Sequence, residues 1–171
     1  MNITTKIIIT DTNIITDLDN ANLLEDFVKL DNVYISDMVK NDEINFKTGE
    51  VKLINKFKVI EASAEQLLEI SFISFAEKQL SPCDILNYII ARDNNCILAT
   101  GDNRLKTFAE KNGIEVIRTL KVISLMAKHN YISIDKAIKG CNLLKENVKT
   151  RIPLKDIDKI IKELEENLII S

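Results

Sequence analysis

The fold of the chain is decided by residues 81–103, SPCDILNYIIARDNNCILATGDN. Ser81-Pro82 is a typical helix start, with Ser at the N-cap and Pro at the first helical position. A short apolar strand, 96–99, follows the helix, and Asp102 comes just past the end of that strand. In a parallel α/β sheet, ligands bind outside the carboxyl ends of the strands. Asp102 is therefore predicted at a functional edge, and Asp84 reaches the same edge if its loop folds over.

Apolar, β-branched segments alternate with helical patterns over the first two thirds of the chain. The predicted strands are 7–10, 33–36, 57–60, 96–99 and 114–117. Between the first two strands the helical pattern is clearest over 23–30, and 37–46 also has a helical pattern. This alternation predicts an α/β fold with one central parallel sheet of about five strands, right-handed crossovers and helices on both faces.

The last third of the chain has only helical patterns. They cover 120–128, 134–148 and 154–166. We expect residues 1–120 to form the α/β domain and residues 121–171 to form a C-terminal helical extension packed on the same domain.

The composition of the 171 residues is that of an ordinary soluble globular protein. No apolar run approaches the roughly 20 residues of a membrane-spanning helix, and residues 1–10 lack the apolar core of a signal peptide. We therefore expect a cytoplasmic protein that does not bind membranes. The net charge of −3 argues against non-specific electrostatic binding of nucleic acid by the whole surface, although local basic patches remain compatible with it.

Cysteine and histidine are too few and too scattered for most chemistry that uses them. Cys83, Cys96 and Cys141 have no paired spacing, which predicts three buried reduced thiols. His129 is the only histidine and lies in the last turn of a predicted helix, where a cation is commonplace. Most histidine-based hydrolytic and zinc mechanisms are thereby excluded, and no glycine-rich phosphate loop is present.

Acidic residues occupy the places where chemistry is expected. Taken singly, Asp11, Asp84 and Asp102 each fit a turn or a helix cap, and Asp42 and Glu43 fit a solvated helix face. Taken together, a cluster of carboxylates without histidine or paired cysteine suits Mg²⁺ or Mn²⁺. Converging carboxylates repel one another, and a divalent ion resolves that conflict. Such an ion can also activate water and stabilise charge on a phosphodiester.

Four segments of the chain, in this order and separation, resemble the PIN-domain nucleases, which include the VapC-type toxin ribonucleases. The segments are 7–13, 42–43, 80–84 and 99–103. The resemblance covers about residues 6 to 120. It implies a three-layer α/β/α domain whose acids bind one or two Mg²⁺ or Mn²⁺ ions and hydrolyse single-stranded nucleic acid, usually RNA.

The resemblance also implies roles for individual acids. Asp11 would be the first acid and a direct metal ligand, Asp84 the third, and Asp102 the fourth, either ligating or holding metal-bound water. The second acid is Asp42 if residues are counted without gaps from the second strand, or Glu43 if residue identity decides. Residues that would orient the acids by hydrogen bonds are Asn13, Thr100 and Asn103.

Basic residues near the acids are candidates for the substrate path, although solvated helix faces explain them as well or better. They are Arg92, Arg104, Lys106 and Lys111.

These observations favour a Mg²⁺/Mn²⁺-dependent endoribonuclease that cleaves single-stranded RNA. If it is a toxin of a toxin–antitoxin pair, a protein inhibitor would bind the apolar helices near the C-terminus. A second copy of the chain is a further candidate partner.

The alternative is a non-catalytic PIN-like module that binds RNA or a protein, with acids too loose to hold a metal. A third class, phosphoryl-accepting receivers and haloacid-dehalogenase-like phosphatases, ranks last. The phosphatases need a second acid where this chain has Asn13, and Lys121 is a weak candidate for the lysine of a receiver.

Overall fold

A computed structural model gives the structure of the protein and describes residues 4–43 and 51–170, with the backbone alone at 42–43, 51–52 and 167–170. Five strands form one sheet in the order β3-β2-β1-β4-β5, and every neighbouring pair is parallel. The strands are β1 Ile8–Thr10, β2 Val33–Ser36, β3 Lys58–Ile60, β4 Ile97–Ala99 and β5 Val116–Ile117. The predicted α/β fold with a parallel five-stranded sheet is confirmed.

Helices connect the strands and continue beyond the last of them. They are α1 Thr12–Asn20, α2 Leu24–Phe27, α3 Val51–Ile54, α4 Ala64–Ala76, α5 Pro82–Asp93, α6 Asn103–Lys111, α7 Thr119–Lys128, α8 Ile134–Glu146 and α9 Leu154–Ile170. A π-helical turn, Val39–Glu43, follows β2.

The sheet separates two hydrophobic cores, because successive side chains of a strand point to opposite faces. Ile8 and Ile97 are buried in one core, which includes residues of α1, α2, α7, α8 and α9. Ile9 and Leu98 are buried in the other, which includes residues of α4, α5 and α6. The result is the expected three-layer α/β/α arrangement.

The region between β1 and β2 differs from the prediction of one helix over 23–30. Helix α1 begins directly after Asp11, whose carboxylate accepts a hydrogen bond from the Ile14 N–H at 3.0 Å. Asn22 then adopts a φ of 56°, a left-handed conformation that asparagine tolerates and that ends a helix. The predicted extent was wrong because a cap and a helix stop divide the region into α1 and α2.

The helical pattern predicted over 37–46 is only partly covered by the described residues. The backbone of Val39–Glu43 forms a π-helical turn instead of a regular α-helix. Residues 44–46 lie outside the described residues.

The C-terminal helices share the core of the α/β domain. Ala137, Cys141 and Leu144 of α8, with Ile157 and Leu164 of α9, are buried in the same cluster as Ile8. Helix α8 contacts α1, α7 and α9. The division of the chain at residue 120 stays a prediction.

Two expectations from composition can be compared with the structure. All three cysteines are free and buried, which confirms the prediction of reduced structural thiols. Over the described residues, no helix is both long enough and apolar enough to cross a bilayer.

A close approach between α8 and the end of α1 depends on Gly140. A Cβ at this position would lie 2.7 Å from Leu23 Cδ1 and 3.1 Å from the Ala21 carbonyl oxygen. Leu23 is fully buried, so its side chain would have to shift within the core, and the Ala21 carbonyl is backbone and yields less easily.

We expect Gly140→Ala to destabilise the protein by up to about 2 kcal/mol, because overpacking of about 1–3 kcal/mol outweighs the gain of about 1 kcal/mol in helix propensity. Chemical denaturation measures the difference. The neighbouring exposed Lys139→Ala is the control and should be near neutral. A stabilised Gly140→Ala variant would contradict the proposed packing role.

Candidate active site

The candidate site lies at the topological switch point of the sheet, where the direction in which successive strands are added reverses. From β1 the chain builds outward through β2 and β3, and it then returns to place β4 on the other side of β1. A crevice forms at such a switch point, outside the carboxyl ends of the two central strands. Asp11 follows β1 and Thr100 follows β4, so both residues lie at this crevice.

Asp11 is a buried carboxylate held by neutral donors. Its side chain is 3% exposed. Oδ2 accepts a hydrogen bond from the Thr100 hydroxyl and a 3.4 Å bond from Asn13 Nδ2. Among the described residues Asp11 has no ion-pair partner. The pKa of Asp11 is raised from 3.8 to about 7, chiefly by burial and to a smaller extent by the charge of Asp84, whereas hydrogen bonds from Thr100, Ile14 and Asn13 act to lower it.

Thr100 links Asp11 to Asp102. The Thr100 hydroxyl donates to Asp11 and accepts the Asp102 N–H at 3.0 Å. The carboxylate of Asp102 caps α6, because its Oδ1 accepts the N–H groups of Arg104 and Leu105 at 2.7 and 2.9 Å. One hydroxyl therefore fixes the Asp11 carboxylate and the backbone of Asp102 together.

Gly101 allows the loop after β4 to approach the start of α1. A Cβ on Gly101 would lie 2.9 Å from the Cβ of Asn13. A larger residue would push the Thr100–Asp102 segment away from Asp11.

Asp84 also serves as part of a helix cap. Its Oδ2 accepts the Ser81 N–H at 2.9 Å and the Ser81 hydroxyl at 2.8 Å, while the Asp84 N–H donates to the Ser81 oxygen. The capping interpretation of Asp84 and Asp102 is confirmed. Asp84 nevertheless lies near enough to Asp11 for its charge to raise the pKa of Asp11. Within the described residues, Asp84 Oδ1 and Asp102 Oδ2 accept no hydrogen bond.

The predicted second acid, Asp42 or Glu43, lies outside the described side chains. Asp42 and Glu43 end the π-helical turn that follows β2, and their side chains lie outside the described part of the chain. Among the side chains that are described, no three His, Cys, Asp or Glu residues are placed to share one metal ion. A metal site with three protein ligands would therefore require Asp42 or Glu43, or a rotation of Asp102 out of its cap.

The donors that are present fit a hard divalent cation. Asp11, Asp84 and Asp102 provide carboxylate oxygens without sulfur or imidazole, which is the ligand chemistry of Mg²⁺ and Mn²⁺. The buried Asp11 carboxylate has no cation beside it among the described residues, so a bound ion would supply the missing positive charge.

Asn87 is a buried polar residue of the site region that the sequence analysis did not identify. It lies one turn after Asp84 on α5 and is 1% exposed. Its Oδ1 accepts the Ser36 hydroxyl at the end of β2 at 2.9 Å, whereas its Nδ2 has no partner among the described residues. Asn87 could have been found from the sequence, because it is the single amide within the otherwise mostly apolar run 85–91. The Ser36 bond ties α5, and with it Asp84, to the sheet.

Arg118 holds the loop that carries Asp102. It directly follows β5, and its guanidinium donates to Asn103 Oδ1 at 2.5 Å and to the Gly101 carbonyl at 2.8 Å. The predicted orienting residue Asn103 thus contacts Arg118. Arg118 could have been found from the sequence, because it directly follows a predicted strand, which is the criterion that identified Asp11 and Asp102.

A cleft of about 710 Å³ opens beside Asp102. Four cations from three parts of the chain line it: Arg104, Lys106, Arg118 and Arg151. Arg151 comes from the connection between α8 and α9, so the C-terminal helices form part of the cleft wall. Asp17 also lines the cleft, and burial raises its pKa, although a hydrogen bond from Thr119 lowers it.

The remaining predicted basic residues lie elsewhere. Arg92 is in the last turn of α5, at the opposite edge of the sheet from the acids, and pairs with Glu69 and Asp93. We therefore leave Arg92 out of the substrate path. Lys111 lines a second cleft of about 640 Å³, which shares Asn103 and Arg104 with the first.

Comparison with known proteins identifies the family of the chain. The family model DUF3368, described as a PIN domain, matches residues 7–166. The chain belongs to the PIN-domain family. PIN domains are generally nucleases. The match extends through the C-terminal helices as well as the sheet.

A solved structure has a similar fold. The crystal structure of PAE2754 from Pyrobaculum aerophilum covers 71% of this PIN domain and is itself covered to 98%, with a TM-score of 0.52 and 18% sequence identity. At this identity the similarity shows the fold alone. No curated protein matches the chain significantly.

We expect Asp11→Asn to stabilise the metal-free protein at neutral and alkaline pH. Because burial raises the pKa of Asp11 from 3.8 to about 7, ionising it in the folded state costs up to about 4 kcal/mol. The gain should be absent below pH 3.8, grow as the pH rises, and level off above about pH 7. Thermal melting in chelator measures it.

Asp135→Asn is the control, since Asp135 is exposed in the first turn of α8. An Asp11→Asn variant that is less stable than the parent at pH 8 in chelator would show that the Asp11 charge is well compensated.

Proposed function

We propose that this PIN domain is a Mg²⁺- or Mn²⁺-dependent endoribonuclease that cleaves single-stranded RNA. One observation supports the proposal: the buried carboxylate of Asp11, which has no cationic partner among the described residues, is joined through Thr100 to Asp102, and Asp102 lines a cleft that also contains four cations. Membership of the PIN-domain family supports the same class of activity.

The acids of the switch point would hold the ion. Asp11 and Asp84 would be ligands, completed by Asp102 and by Asp42 or Glu43. When bound, the ion acts as a Lewis acid that stabilises charge on the scissile phosphate and lowers the pKa of a water molecule. Thr100 fixes the orientation of the Asp11 carboxylate, and such outer hydrogen bonds commonly contribute 10–100-fold to metal affinity or activity.

The cations of the 710 Å³ cleft would bind the phosphates on either side of the cleaved bond. The guanidinium groups of Arg104 and Arg151 form no hydrogen bond or ion pair within the described part of the chain, which leaves them able to take phosphate oxygens in two parallel hydrogen bonds. Arg118 is engaged with Gly101 and Asn103 and would act by holding the Asp102 loop.

We expect Asp11→Asn and Asp102→Asn to reduce Mn²⁺-dependent cleavage of a single-stranded RNA by roughly 100-fold or more, since a catalytic ion contributes several kcal/mol. Thr100→Val should cost about 10–100-fold, and Thr100→Ser, which keeps the hydroxyl, much less. Cleavage is followed on labelled RNA with Mn²⁺ and with chelator.

Asp135→Asn serves as the control acid and should cleave at the parental rate. Undiminished activity in Asp11→Asn, or cleavage by the parent in chelator, would contradict the metal-dependent mechanism.

The second candidate function is a non-catalytic module that binds RNA or a protein. The observation in its favour is that no three described acids share a site and that Asp84 and Asp102 are both engaged as caps. Calorimetric titration with Mn²⁺ separates the two functions. A nuclease should show a site that Asp11→Asn removes, whereas a binding module should show none.

We expect Arg151→Ala to weaken RNA binding without changing metal binding. Each phosphate contact to a single strand contributes about −0.7 to the slope of log K against log salt concentration, so the loss of one cation should make the slope less steep by about that amount. Fluorescence anisotropy of a labelled single-stranded RNA in chelator measures the slope. Lys149→Ala, at an exposed residue outside the lining of the cleft, should leave it unchanged.

A further inference from the structure

Two buried polar side chains near the acids have no role in the function proposed above. Ser36 at the end of β2 is fully buried, and Asn87 on α5 is 1% exposed. The Ser36 hydroxyl donates to Asn87 Oδ1 at 2.9 Å. The same hydroxyl oxygen accepts the Val39 N–H at 3.3 Å. One hydroxyl therefore joins the end of a strand, a helix packed on the sheet and the first residue of the π-helical turn.

Each of the two segments that Ser36 joins carries a proposed ligand. Asp84 lies three residues before Asn87 on α5, and residues three apart are neighbours on the surface of a helix. Asp42 and Glu43 end the π-helical turn. Single turns of this kind occur frequently at functional sites. The Ser36–Asn87 bond therefore connects the backbone that carries Asp84 with the backbone that carries the predicted second acid.

Stability alone does not account for this pair. A hydrogen bond contributes about 1 kcal/mol net, whereas a buried donor without a partner costs about 1–3 kcal/mol. Asn87 Nδ2 is such a donor within the described part of the chain. Leu86 and Ile90 of the same helix are fully buried in an apolar core, so an apolar side chain would suit the position. The pair therefore adds little to the free energy of unfolding, and its main effect is to fix two segments relative to each other.

We propose that Ser36 and Asn87 are positioning residues for the metal site. Their hydrogen bond holds α5 against the end of β2, and the Ser36 hydroxyl holds the π-helical turn at the same point. Asp84 and the acid of the turn are thereby kept at a spacing that suits one ion. Neither Ser36 nor Asn87 is a ligand. This role rests on the metal-dependent function proposed above.

The opposite end of β2 offers a matched control residue. Asn32 directly precedes β2 and is 5% exposed. Its Nδ2 donates to the Thr4 hydroxyl oxygen at 2.9 Å and to the Lys6 carbonyl at 2.8 Å, and its Oδ1 has no partner among the described residues. Replacing Asn32 therefore disturbs a buried amide beside the same strand, but at the end of the sheet away from the acids.

Calorimetric titration of the full chain with Mn²⁺, without RNA, tests the pair. We expect Ser36→Ala and Asn87→Leu each to raise the dissociation constant for Mn²⁺ by about 10-fold, the lower end of the range for hydrogen bonds that support metal ligands. Ser36→Thr keeps the hydroxyl and should bind Mn²⁺ more tightly than Ser36→Val, which has a methyl group in its place. Asn32→Leu should keep the parental dissociation constant.

The double variant Ser36→Ala/Asn87→Leu tests whether the two residues act together. Removing both should weaken Mn²⁺ binding no more than the larger single change, because either change alone breaks the link. Thermal melting in chelator should show little loss of stability in the double variant, since replacing both partners by apolar groups is nearly neutral. A purely structural role would instead lower the melting temperature and leave the Mn²⁺ affinity of the folded protein unchanged.

The outcomes separate this role from the proposed function. A parent that binds no Mn²⁺ would refute the metal-dependent function, and the positioning role with it. A parent that binds Mn²⁺ no better than folded Ser36→Ala and Asn87→Leu would overturn the positioning role alone. So would effects that add in the double variant, or an equal loss in Asn32→Leu. Circular dichroism checks folding, and if Asn87→Leu does not fold, the comparison of Ser36→Thr with Ser36→Val decides.

Discussion

Burial of the Asp11 carboxylate between the ends of β1 and β4 is the constraint on which the rest of the site depends. A carboxylate in this position costs free energy unless positive charge or hydrogen bonds offset the loss of water. The described part of the chain offers it a hydroxyl, an amide and a backbone N–H, but no cation. The fold therefore buries a carboxylate without a neighbouring positive charge in the described structure, and a group of this kind commonly marks a functional site.

Two of the residues proposed as metal ligands are also helix-capping residues. Asp84 and Asp102 each accept hydrogen bonds at the N-terminal end of a helix. Each keeps one carboxylate oxygen free of hydrogen bonds within the described structure. A cap contributes only about 1 kcal/mol, so a divalent ion can compete for the whole carboxylate. The structural and the functional interpretation of these acids therefore do not exclude each other.

Local patterns were sufficient to predict the sheet and to place Asp11, Thr100 and Asp102 at the same edge of it. Short apolar runs specify buried parallel strands, and an acid after a strand lies at the carboxyl edge wherever the strand goes. The break between α1 and α2 was missed because it depends on one left-handed asparagine. Arg118 and Arg151 could not be assigned to a common cleft, because residues 33 positions apart meet there only through tertiary packing.

Helix α1 connects the Asp11 site with the C-terminal helix α8. Asp11 caps its N-terminal end, and its C-terminal end is followed by Ala21 and Leu23, which pack against Gly140 of α8. Because both ends of α1 are held, a change in the position of α8 would tilt α1 and move Asp11 at its other end. Sequence changes at the contact between α8 and the end of α1 can therefore shift the Asp11 carboxylate, which offers evolution a remote means of adjusting the site without changing the residues that surround Asp11.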